Sequence, residues 1–115
     1  MTITIYHNPK CSTSRNVLAM IRETGQTPRI VEYLKTPPDR ETLKALLRRI
    51  GISARELLRK KEPLYAELSL ADPKWSEDDL VGFMAEHPIL IERPIVVSDK
   101  GARLCRPKQK ALEVI

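Results

Sequence analysis

At 115 residues, with 42% hydrophobic and 30% charged residues, the chain suffices for one domain without disulfides or metals, and is too hydrophobic for a disordered tail. No apolar run approaches the ~18 residues of a membrane span, and Met1-Thr-Ile-Thr-Ile-Tyr6 lacks the basic flank and long apolar core of a secretion signal. A formal net charge of +5 calls for an anionic partner, but the acidic stretch Glu67, Asp72, Glu77, Asp78, Asp79 and Glu86 and an aromatic content of only 4% argue against nucleic acid.

In chain order, Thr2-Ile-Thr-Ile-Tyr6 alternates and is β-branched, which predicts a strand. His7-Asn8-Pro9-Lys10 reads as a turn, and Cys11-Ser-Thr-Ser14 as the start of a helix carrying Val17, Leu18 and Ile21 and ending at Gly25. Ile30-Val-Glu-Tyr-Leu34 is a second strand, so residues 2–34 make a β-α-β unit. A second helix starts at Pro37-Pro38-Asp39, buries Leu43, Leu46, Leu47 and Ile50 at i, i+3, i+4 and i+7, and stops at Gly51. Ser53-Ala-Arg-Glu56 has capping-box spacing and predicts a short helix carrying Leu57-Leu58-Arg59. Ser76-Glu-Asp-Asp79 opens another helix, with Leu80, Val81, Phe83 and Met84 on its apolar face. Ile95-Val-Val97 and Ala102-Arg-Leu-Cys105 flank a turn and form a hairpin; Pro107 suits the first turn of a C-terminal helix. The order β-α-β, helices, β-β, α is that of a thioredoxin-like α/β fold: one domain over 1–115, with a helical insertion at about 39–87.

Two cysteines are too few for a secreted disulfide scaffold, so Cys11 and Cys105 are expected to be thiols. No zinc-type Cys/His cluster is present in the sequence. Cys11 lies at a strand-to-helix turn beside His7 and Lys10, where the helix N-terminus and the basic neighbours favour a thiolate. Ser12, Thr13 and Ser14 offer hydroxyls to the sulfur, although helix capping accounts for them equally well. Cys11-Ser-Thr-Ser14 is C-x-x-S, so there is no resolving cysteine in the motif. Val17 stands where a C-x5-R phosphatase loop requires arginine. Arg93, in Ile91-Glu92-Arg93-Pro94-Ile95, and Arg106, in Cys105-Arg106-Pro107, have apolar or proline neighbours; each suits an oxyanion, or a surface ion pair. Arg59, beside Lys60 and Lys61, is a third such residue or part of a solvated basic run. Cys105 reads as a small buried hydrophobe.

Several blocks are recognisable together: Ile3-Thr-Ile-Tyr-His-Asn-Pro9, Cys11-Ser-Thr-Ser-Arg-Asn16, Tyr33-Leu-Lys-Thr-Pro-Pro38, Leu57-Leu-Arg-Lys60, His87-Pro88 through Val97, and Arg103-Leu-Cys-Arg-Pro107. In this order, over nearly the whole chain, they resemble the glutaredoxin-coupled arsenate reductase (ArsC) family. The resemblance implies an enzyme of thioredoxin-like fold with Cys11 as nucleophile, and the lack of a span or secretion signal leads to the expectation that it is cytoplasmic. It implies that His7 and Ser14 help to activate the thiol, that Arg59, Arg93 and Arg106 bind the oxyanion, and that Pro94 is a cis-proline. It further implies arsenate as substrate, glutathione as co-substrate and glutaredoxin as reducing partner; with the composition above, the expectation is of no bound cofactor or metal and no nucleic-acid or membrane partner. Two alternatives share the fold. One is an ArsC-like, glutathione-linked oxidoreductase of other substrate, which Lys10 and Ser12 resemble. The other is an Spx-like RNA polymerase-binding regulator, but such regulators commonly carry C-x-x-C.

Overall fold

The computed structural model describes residues 2–115, in two compact units. The first comprises the residues up to Thr36 together with Arg93–Ile115, and the second is Pro37–Glu92.

The first unit is built on four strands, β1 (Thr4–His7), β2 (Arg29–Glu32), β3 (Ile95–Ser98) and β4 (Gly101–Leu104), in the order β2-β1-β3-β4. β1 and β2 are parallel; β1–β3 and β3–β4 are antiparallel. The crossover between β1 and β2 is α1 (Ser12–Glu23). Its Ser14, Val17, Leu18 and Ile21 fall at i, i+3, i+4 and i+7 and are all buried. Ile3, Ile5, Val17, Leu18, Ile21, Val96, Cys105, Ala111 and Val114 form one apolar core. This is the β-α-β, β-β order of the thioredoxin fold, as expected.

The details differ from the sequence reading for local reasons. The first strand starts at Thr4 and includes His7, because His7 is in register with Glu32 of β2. β2 stops at Glu32, where the β1 ladder runs out, and the Glu32 carbonyl accepts from the N–H groups of both Lys35 and Thr36 in a turn. β4 ends at Leu104, leaving Cys105 one residue beyond it. The C-terminal segment is a 3-10 helix (Lys108–Glu113), not an α-helix. Pro107 is its extended N-cap, not a first-turn residue. Its buried Ala111 and the buried Val114 that follows are three apart, which suits three residues per turn. The Arg93–Pro94 peptide is cis, and so is Arg106–Pro107.

The second unit is helical: α2 (Arg40–Ile50), α3 (Ala54–Leu57), α4 (Pro63–Glu67), α5 (Glu77–Glu86) and a 3-10 turn at Pro88–Leu90. Asp39 caps α2 by accepting from the Thr42 N–H, and Gly51 ends it at φ +83°, a conformation other residues adopt at a cost. The anticipated capping box forms between Ser53 and Glu56, and a second one closes the expected helix start between Ser76 and Asp79. The helix at Ser53 ends at Leu57, however. Leu58 turns extended and pairs with Ile91, Arg59 donates its N–H to the Leu90 carbonyl, and Glu92 donates to that of Leu57. Helix α4 leaves little trace in the sequence, since its five residues include none that is buried, so no apolar period marks it.

Candidate active site

Strand period and helix period together decide what surrounds Cys11. Alternation along β1 puts His7 on the same face as Ile3 and Ile5, both members of the core beneath α1. Ser14 occupies the first position of the buried stripe of α1, one turn before Val17 and Leu18. The apolar layer is therefore continued at its end by a polar pair, in which His7 Nδ1 lies 2.6 Å from Ser14 Oγ. The Ser14 hydroxyl accepts from the Asn8 N–H at 3.1 Å and so has its own proton to donate to the imidazole. Burial holds the His7 pKa below its ordinary 6.5; Glu32 opposes this, and Arg22 and Arg15 add to it. A neutral ring with Nδ1 as acceptor fits both observations.

Between His7 and α1 the chain is tightly tied. The Asn8 carbonyl accepts from the Cys11 N–H at 3.0 Å, and Asn8 Oδ1 accepts from the Lys10 N–H at 3.0 Å. Arg15 reaches back to the Pro9 carbonyl at 2.9 Å. Asn8-Pro9 signals the expected turn in the sequence, but not that Asn8 ties both Lys10 and Cys11 in place. Cys11 is thereby fixed as the extended N-cap of α1, half-buried, at the end where backbone N–H groups favour an anion.

Sheet register assembles the rest. β3 runs antiparallel to β1 with Ile95 opposite Tyr6, so Arg93 and Pro94 enter the sheet at the end where β1 leaves it. β4 returns with Leu104 opposite Ile95, which brings Cys105 and Arg106 to that same end. The Cys105 N–H donates to the Pro94 carbonyl at 2.9 Å, and Arg106 Nη1 donates to the Arg93 carbonyl at 2.9 Å. Arg106 Nη1 also lies 3.9 Å from Cys11 Sγ. Arg93 is buried, at 7% exposure.

Partial burial raises the Cys11 pKa, but the Ser14 N–H and the Arg106 and Arg93 guanidinium groups outweigh it, and the thiol is held below its ordinary 9.0. Lys10, favoured as an activator by adjacency, is exposed; the cations acting on the sulfur come from 82 and more residues away in sequence. His7 reaches the sulfur's surroundings through Ser14. Cys105 differs sharply: wholly buried in the core, its thiol is pushed up to about 12. Both cysteines are free.

Arg59 belongs to the helical unit. Its Nη1 lies 2.7 Å from Glu92 Oε1, and its Nε 3.9 Å from Glu62 Oε2. The structure thus brings Cys11, His7, Ser14, Arg93 and Arg106 into one compact unit, while Arg59 is ion-paired in the other. Among the described residues, no group of three His, Cys, Asp or Glu is placed to hold a metal ion, and no helix is long and apolar enough to cross a membrane.

A lowered thiol pKa has two signed consequences. Thiolate absorbance near ~240 nm, as the difference between the wild type and Cys11→Ser, is expected to reach its midpoint below the ordinary 9.0 of a free cysteine. Because the folded pKa is lowered, the thiolate's stabilising contribution is full above the unfolded value and is lost as pH falls through the folded one. The stability of the wild type relative to Cys11→Ser is therefore expected to grow as pH rises across that window, by denaturant titration. A midpoint at or above the free-cysteine value would remove the activation.

The model of the ArsC family matches residues 6–114. An arsenate reductase of Escherichia coli (strain K12) is 56% identical over 113 residues, covering 98% of this chain and 80% of that protein. The uncharacterized protein YfgD of the same strain is 50% identical over 114 residues, covering 98% and 96%. The solved structure of an arsenate reductase from Vibrio cholerae superposes with a TM-score of 0.96 at 48% identity, over 100% of this chain and 98% of that one. An activated cysteine at the N-cap of the crossover helix, two arginines delivered by the hairpin and a family match spanning nearly the whole sequence lead to one assignment: the chain belongs to the ArsC family.

Proposed function

We propose that the protein is an arsenate reductase that uses Cys11 as its nucleophile, glutathione as co-substrate and glutaredoxin as the final reductant. The observation that carries the reading is the Cys11 sulfur, with its pKa lowered by the Ser14 N–H and by two guanidinium groups, one of them 3.9 Å away. A guanidinium fork matches the paired oxygens of a tetrahedral oxyanion, so the groups that favour the thiolate also hold its electrophile. The names of the Escherichia coli and Vibrio cholerae relatives support arsenate as that oxyanion.

The steps balance as follows. The Cys11 thiolate attacks arsenic(V), an As–S bond forms, and one As–O bond breaks, its oxygen leaving as water after protonation. Glutathione adds in the same way, expelling a second oxygen as water. A glutaredoxin thiolate then attacks the glutathione sulfur. A mixed disulfide forms, the S–As bond breaks, and its electron pair stays on arsenic, which becomes arsenic(III). Water hydrolyses the remaining Cys11–As bond, releasing arsenite and the thiol. His7, through Ser14, holds the N-terminus of α1 in place, and Arg93 and Arg106 offset the oxyanion's charge. Neither Ser14, which lacks a thiol, nor Cys105, whose pKa is about 12, is suited to resolve the adduct. The second thiol comes from solution, and this reading puts the reaction in the cytoplasm, where glutathione is abundant.

The test is arsenite formation by the pure protein with arsenate. Turnover is expected only when both glutathione and glutaredoxin are present. Turnover with thioredoxin and its reductase in their place, or a Cys11–Cys105 disulfide as the main oxidised species by mass spectrometry, would assign a different mechanism.

A further inference from the structure

Cys11 carries its sulfur at the N-cap of α1, and the Ser14 N–H favours the thiolate from the third position of that helix. Asn8 holds both residues. Its carbonyl accepts from the Cys11 N–H at 3.0 Å, and its own N–H donates to Ser14 Oγ at 3.1 Å. Those are main-chain groups; the side chain sets the conformation in which they do both. Asn8 Oδ1 accepts from the Lys10 N–H at 3.0 Å, which closes an Asx turn inside the Asn8–Cys11 turn. The residue is buried, at 5% exposure.

Asparagine and aspartate both close such turns, and proline at the second position suits either. Charge separates them. The first and fourth α-carbons of a β-turn lie within ~7 Å of each other, so a carboxylate at position 8 would stand beside the sulfur. Besides burial, the Ser14 N–H, Arg106 and Arg93 act on the sulfur, and Glu32, Arg22 and Arg15 act on His7. Among the described residues, no carboxylate acts on the sulfur. We propose that Asn8 is the positioning residue of the nucleophile: its side chain locks the turn that fixes Cys11 against Ser14, and its neutrality keeps negative charge away from the sulfur and from the anion it attacks. This deepens the proposed function and rests on the reading of Cys11 as nucleophile.

Three variants separate position from charge. Asn8→Asp keeps the turn and adds a charge, Asn8→Ala removes the side-chain bond and adds none, and Asn8→Ser offers a shorter hydroxyl to the same N–H. In the absorbance titration, the thiol midpoint of Asn8→Asp is expected about one unit above the wild type, the effect of a like charge a few ångströms away, with a thermal unfolding midpoint close to the wild type. Iodoacetamide alkylation of Cys11 below both midpoints is expected to slow roughly three- to tenfold, because the loss of thiolate outweighs its gain in nucleophilicity. Asn8→Ala is expected to raise the thiol midpoint by less and to lose more thermal stability, and Asn8→Ser to recover part of both. An asparagine with a purely structural role would leave every folded variant titrating like the wild type. A wild-type thiol midpoint in folded Asn8→Asp or Asn8→Ala would therefore overturn the proposal. Neither readout uses arsenate, so shifted thiols in a protein that forms no arsenite would support the role of Asn8 and sink the arsenate reading.

Discussion

Replacing Cys11 by serine is expected to abolish arsenite formation, by about a thousandfold or more, whereas Cys105→Ser keeps most of it. The two side chains have the same chemistry and opposite surroundings. Cys11 is half-buried at the start of α1, its anion favoured by the Ser14 N–H, Arg106 and Arg93. Cys105 is packed among Ile3, Ile5, Val96 and Ala111, and burial pushes its pKa to about 12, so at neutral pH it is a thiol without access to solvent. Removing its sulfur disturbs packing, so the comparison is made at matched folding, judged by circular dichroism. Equal loss of turnover in both variants would mean that the thiols work as a pair. Alkylation gives a second readout: iodoacetamide is expected to modify Cys11 quickly in the folded protein and Cys105 only after unfolding.

Changing Arg106 or Arg93 to lysine is expected to lower kcat/KM for arsenate by roughly 10- to 150-fold each, since a charge-assisted hydrogen bond contributes on the order of 1.5–3 kcal/mol. Lysine preserves the positive charge and loses the planar fork. Arg106 carries a further load, because Nη1 is bonded to the Arg93 carbonyl and lies against the Cys11 sulfur. Arg106→Lys is therefore also expected to raise the Cys11 pKa toward its ordinary value and shift the acid limb of the pH–rate profile upward. Arg93 is buried, so its variant carries a larger folding cost, and its thermal unfolding midpoint separates that cost from catalysis. Stable lysine variants with wild-type kinetics and an unmoved thiol titration would remove both arginines from the site.

The local features were determined by the sequence because short-range physics controls them. A serine three residues before an acid can cap a helix through local hydrogen bonds alone, and Ser53–Glu56 and Ser76–Asp79 do so here. Gly51 ends α2 because the chain needs a left-handed turn there, and alternation along β1 committed Ile5 to the core. The position of Cys11, between a β-branched strand and an apolar-striped helix, was legible for the same reason. Three matters rested on tertiary structure. Arg93 and Arg106 approach the sulfur only because β3 runs against β1 and β4 returns beside β3, a register that no local pattern encodes. Leu58 and Arg59 leave the short helix because Leu58 bridges to Ile91 and the Arg59 N–H to Leu90, and Arg59 then pairs with Glu92, a residue 33 positions away. The contrast between the two thiols is the third. Sequence gives each the same sulfur; burial of one in the core, and two distant guanidinium groups on the other, decide which of them ionises.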